Sequence, residues 1–166
     1  MSAAMVAGGA FLLWLSQRSG TKAKVEFVER ARGCDSRLLD FLAWWQENGS
    51  FDILVAPDGG VRIGMAAEQR QLQYFNTGTS KAKTLRETPH GRGAAFDLWP
   101  VGFNPSGVAL TRSSAMHVNK KAEFYAIGQA AEAFGLIWGG NWKTLYDLPH
   151  VEVPNWQQLP YPPRGA

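Results

Sequence analysis

The sequence predicts a single α+β domain, and three observations carry that expectation. The chain is 166 residues long, the length of one ordinary domain. Segments with apolar residues at helical spacing alternate with short strand-like runs bounded by Gly and Pro. No internal repeat and no linker-like stretch divides them. At 45% hydrophobic and 12% aromatic residues the chain can bury a sizeable core, and with 19% charged residues it is not a disordered tail. Seventeen Lys+Arg against fourteen Asp+Glu give +3 with neutral histidines. That balance lacks the clustered basic footprint of a nucleic-acid binder, and no nucleic-acid partner is expected. The single cysteine, Cys34, excludes an internal disulfide framework and a multi-cysteine zinc site. It reads as an incidental thiol, since no triad accompanies it.

The elements follow in order. Residues 1–23 form an apolar N-terminal segment, with Ala3–Leu15 free of charge. Thirteen helical residues span about 20 Å, short of the roughly 30 Å hydrocarbon core. No basic residue precedes the run and no small-residue cleavage site follows it, so it reads as a helix lying on the domain or a foreign remnant. A weak membrane anchor or uncleaved export signal, with membrane contact through residues 3–15, is the alternative. From Lys24 to the end lies the domain proper. Lys24–Val28 is a short strand; Asp35–Asn48 is a helix with Leu38, Leu39, Phe41, Leu42 and Trp45 at helical spacing, Asp35 or Ser36 as cap and Gly49 as stop. Phe51–Ala56 is a buried strand closed by the turn Pro57-Asp58-Gly59-Gly60. Ala66–Phe75 is helical and Ala94–Trp99 is a strand. Asn119–Phe134 is a helix capped by Asn119 and ended by Gly135, and Leu136–Trp138 and His150–Val153 are strands. The proline-rich tail from Pro154 is an extended wrap.

Chemistry concentrates in two stretches. Thr88–Asp97 reads T-P-H-G-R-G-A-A-F-D, where Gly91 and Gly93 disfavour a helix and suit a loop that presents His90 and feeds a strand carrying Asp97. Gly135–Val153 reads G-L-I-W-G-G-N-W-K-T-L-Y-D-L-P-H-V-E-V, placing His150 and Glu152 on one face of a strand and Asp147 just before it. Two imidazoles and a carboxylate make a three-ligand zinc site with a fourth position for water, and a further carboxylate beside it supplies a general base. Taken with the first stretch, His90, Asp97, His150 and Asp147 are that set.

These motifs resemble the zinc peptidoglycan peptidases that include D-Ala-D-Ala carboxypeptidases and phage or bacterial L-Ala–D-Glu endopeptidases. The family's S-x-H-x-x-G-x-A-x-D is matched from Thr88 to Asp97 with Thr for Ser. Its W-G-G-D-W-K and D-x-P-H-F-E are matched as Trp138–Lys143, with Asn141 for Asp, and Asp147–Glu152. The resemblance runs from about Leu38 to Glu152 and implies a small antiparallel sheet flanked by helices, the fold of hedgehog-type and DD-peptidase domains. It implies Zn2+ held by His90, Asp97 and His150, with Asp147 as catalytic base and Glu152 and Thr88 as supporting residues. The family's substrate-binding arginine precedes a Q-x-x-L-Y-x-x-G helix; an ungapped match puts Ala66 there, and a small insertion puts Arg62 there, which is the assignment adopted. Trp138 and Trp142 are candidate cleft walls, with Trp142 assigned to substrate. His117 reads as a surface residue ahead of a helix.

The expected activity is cleavage of the L-Ala–D-Glu bond in peptidoglycan stem peptides by a monomer in the bacterial cell wall or periplasm, reached by phage release at lysis or by membrane anchoring. A D-Ala-D-Ala carboxypeptidase or dipeptidase on the same scaffold is one alternative. A non-catalytic, zinc-stabilised wall-binding domain is the other, and Asp147 argues against it.

Overall fold

Asp35 opens the first α-helix of the described residues by accepting the backbone N–H of Arg37, a cap worth about 1 kcal/mol. That helix, α1 (Ser36–Asn48), turns Leu38, Phe41, Leu42 and Trp45 inward as expected, while Leu39 stays exposed on its rim. The computed structural model describes residues 22–103, 120–144 and 146–161. The charge-free run Ala3–Leu15, His117 and Asn119 lie outside the described residues. Among those that are described, no helix is long and apolar enough to cross a membrane.

Around α1 the chain forms β1 (Val25–Glu26), β2 (Ile53–Val55), α2 (Met65–Asn76), β3 (Ala95–Pro100), α3 (Lys121–Ala133), β4 (Ile137–Trp138) and β5 (His150–Glu152). The architecture is α+β as expected, with the five strands in the order β1-β2-β3-β5-β4. Four of the strands pair antiparallel, but β1 and β2 run parallel. The reason is the connection: α1 lies between them and carries the chain back to the end where β1 began, which a hairpin cannot do. Helix α3 opens two residues later than its sequence reading, with Lys120 at φ 72 in the cap position.

The core lies between the helices and the sheet, where Phe41, Trp45, Ile53, Phe96, Leu98, Phe124, Ile127 and Val151 are fully or almost fully buried. Cys34 belongs to it. Burial pushes its thiol up to about 12, and its Sγ faces the Ala95 carbonyl at 3.8 Å. A buried thiol so far from ionisation is a poor nucleophile. Folded protein at about pH 8 is therefore expected to resist a thiol reagent that labels the denatured chain fully. Rapid labelling of the native protein would contradict this placement.

Candidate metal centre and cleft

The central strand pair sets the site. In the β3–β5 register Asp97 stands directly opposite His150, so two side chains from distant parts of the sequence share one face of the sheet. Phe96 and Val151, opposite each other one step along, point into the core instead. The third group, His90, comes from a single turn of 3-10 helix (His90–Arg92) immediately ahead of β3. Thr88 shapes that turn: its hydroxyl donates to the Leu85 carbonyl at 2.8 Å and accepts the Gly91 N–H at 3.0 Å. It supports the loop and not the donor atoms themselves.

His90 Nε2, His150 Nδ1 and Asp97 Oδ1 form a triangle. The edges are 3.3 Å between the imidazoles, 3.3 Å from His150 to Asp97 and 3.4 Å from His90 to Asp97. Three donors of a tetrahedral zinc, at ligand distances of about 2.0–2.1 Å, stand about 3.3–3.4 Å apart. The donor set thus has the chemistry and the spacing of a zinc site with one position open. These three residues are the group of potential metal ligands found among the described residues.

Each donor is also held from behind. His90 Nδ1 faces the Gly60 carbonyl at 3.0 Å, which leaves Nε2 as the free donor. His150 Nε2 faces Glu152 at 3.0 Å, leaving Nδ1. Asp97 Oδ2 accepts from Arg62 at 2.9 Å, leaving Oδ1. The Pro57–Gly60 turn, which the sequence marks only as the end of a strand, is the scaffold for this arrangement. Its Asp58, Gly59 and Gly60 carbonyls accept in turn from Arg62 Nε, Asp97 N and His90 Nδ1. Gly60 is required there, because a Cβ would run into the Arg30 carbonyl. The paired glycines were the available signal, since they allow backbone to approach backbone.

Burial and the mutual contacts of these groups set their charge states. Burial disfavours the charged form of both imidazoles and holds His90 below its ordinary value. At His150 the hydrogen bonds to Asp97 and Glu152 outweigh that burial and raise it to about 10. Burial alone would push Asp97 up, yet the two histidines hold its carboxyl well below the usual range. Asp147 is different: burial, followed by the charge of Asp97, pushes it up to about 6. Three carboxylates, Asp97, Asp147 and Glu152, gather around two imidazoles.

These residues line one cavity of about 590 Å³, together with Arg62, Trp142, Lys81, Tyr74 and Trp156. Trp142 packs its ring against His150, with centroids 4.9 Å apart. Trp138 does not wall the cleft. It is 2% exposed, donates its indole N–H to the Leu148 carbonyl at 2.8 Å and packs on Tyr125. Gly139 joins the tryptophan segment to the one that carries Asp147 and His150, its carbonyl accepting from both Trp142 N and Asp147 N at 3.1 Å. A Cβ there would lie 2.6 Å from the Asp147 carbonyl oxygen. Asn141, which stands where the resembling family has Asp, donates to Glu132 at 2.5 Å; an aspartate would set two carboxylates together. Trp156 and Lys81 escaped sequence reading, because nothing in the local pattern brings the tail or the loop after α2 to a strand end.

Residues 81–153 match the family model described as D-alanyl-D-alanine carboxypeptidase, a stretch that contains His90, Asp97, Asp147, His150 and Glu152. The crystal structure of the Serratia marcescens L-Ala D-Glu endopeptidase ChiX is similar at 26% identity over 75% of this chain and 84% of that one, with a TM-score of 0.47. No curated protein matches this chain.

Proposed function

We propose that this chain, a peptidase of the D-alanyl-D-alanine carboxypeptidase kind over residues 81–153, is a zinc hydrolase that cuts the stem peptide of peptidoglycan at the L-Ala–D-Glu bond. The observation that carries the reading is the donor triangle of His90, Asp97 and His150 with Asp147 beside it. A zinc ion held by those three residues would supply Lewis acidity for the peptide carbonyl and would lower the pKa of a water toward neutral. Asp147 is the base: a carboxyl raised to about 6 accepts a proton from water at neutral pH and is acidic enough to return it to the leaving amine. Trp142 covers one side of His150 and helps exclude water from the reacting atoms. Arg62 lines the cleft, and its Nη1 makes no hydrogen bond among the described residues, so it is available to a substrate carboxylate.

The resemblance of Trp138–Lys143 to the endopeptidase branch favours the internal bond. The same cavity is also lined by Tyr74, Lys81 and Trp156, which adds lining beyond the donors themselves. The family description favours the second reading, removal of a terminal D-Ala. Digestion of purified peptidoglycan with the zinc-loaded protein, followed by mass analysis, separates them. New L-Ala carboxyl ends and D-Glu amino ends are expected, and a chelator should abolish them. Release of free D-Ala alone would replace the proposed bond with the terminal one.

A further inference from the structure

The Arg62 guanidinium has two fixed contacts. Nε donates to the Asp58 carbonyl at 2.8 Å and Nη2 donates to Asp97 Oδ2 at 2.9 Å. The Asp97 carboxylate is thereby divided, with Oδ1 turned to both imidazoles and Oδ2 turned to the arginine. Neither side chain is much exposed, at 24% for Arg62 and 18% for Asp97, so the pair is only partly screened by water. The anchor behind it is a backbone carbonyl in a tight turn, where Asp58 has φ 55. Arg62 is tied to the second donor as well, since its backbone N–H donates to the His90 carbonyl at 3.2 Å.

We propose that Arg62 is a positioning residue of the metal site, holding Asp97 to ligation through one oxygen and so keeping the fourth position open. The inference rests on the zinc reading above. The chemistry is that of a fixed fork: a guanidinium bonded at two points cannot follow a rotating carboxylate, whereas a lysine ammonium at the end of a flexible stem can. With Arg62 removed, Oδ2 loses its partner and is free to turn toward the ion, which favours a higher coordination number and loosens the donor triangle.

The test uses zinc affinity by chelator competition and the visible spectrum of the cobalt-substituted protein, whose bands are intense in four-coordinate sites and weak at higher coordination. Arg62→Ala is expected to raise the zinc Kd about 10–100-fold, as loss of an outer partner of a ligand does. Its cobalt bands should weaken. Arg62→Lys keeps the charge without the fork and should fall between Arg62→Ala and the parent protein. Arg70→Ala, which removes the arginine on the Asp58 carboxylate, should leave both readouts unchanged. A zinc Kd for Arg62→Ala within about twofold of the parent would overturn the proposal. So would a weaker Kd with an unaltered cobalt spectrum, which assigns the effect to general loosening. Failure of the parent protein itself to take up zinc would instead overturn the metal reading on which the inference stands.

Discussion

His150→Ala is expected to abolish the proposed zinc binding and, with it, peptidase activity. His150 supplies one corner of the donor triangle, 3.3 Å from each of the other two, and no other described histidine or cysteine joins that group. Two donors remain after the substitution. The loss in affinity should exceed the about 10–100-fold typical of removing an outer partner. A stability cost is expected too. The imidazole is the partner of the buried Glu152 carboxylate, and leaving a buried charge without its partner costs about 3–5 kcal/mol. His90→Ala should lose zinc as severely but disturb the fold less, since its other contact is the neutral Gly60 carbonyl. Elemental analysis and thermal melting of both variants check this, and full zinc occupancy in both would remove the site.

What the sequence makes legible here depends on the range over which each feature is set. The His150–Glu152 pair is local: alternation along β5 puts both on one face, and the structure has them bonded at 3.0 Å. The cap at Asp35 and the inward face of α1 are equally local. The pairing of Arg62 with Asp97 is not, because 35 residues separate them and only the Pro57–Gly60 turn brings them together. The direction of β1 against β2 is also a property of the connection, invisible in two short strands read alone. Trp138 shows the limit from another side. Its place in a glycine-flanked motif suits a cleft wall, but the indole N–H finds the Leu148 carbonyl and the ring is buried. Its neighbour Trp142, four residues along, takes the cleft position.

Asp147→Asn is expected to separate the proposed catalysis from the proposed metal binding. The substitution keeps the shape of the side chain and removes its capacity to accept a proton. Asp147 is not a corner of the triangle, and the contacts that fix its segment are made by backbone: its N–H to Gly139 and its carbonyl to His150. Zinc content should therefore stay near that of the parent. Thermal stability should not fall, because the parent carboxyl is buried beside the charge of Asp97 and is raised to about 6 by that environment. Turnover of peptidoglycan is expected to drop by about 10²–10⁴, the usual weight of positioned acid–base catalysis. Glu152 is the rival carboxylate. Its Oε2 faces His150 Nε2, on the side of the ring away from the Nδ1 that meets the other donors, so it is placed to orient the ring and not to reach the attacking water. Glu152→Gln keeps an acceptor for that N–H and should retain substantial activity. The opposite pair of results, with Asp147→Asn active and Glu152→Gln inactive but zinc-loaded, would transfer the base to Glu152 and leave Asp147 as a wall of the cleft.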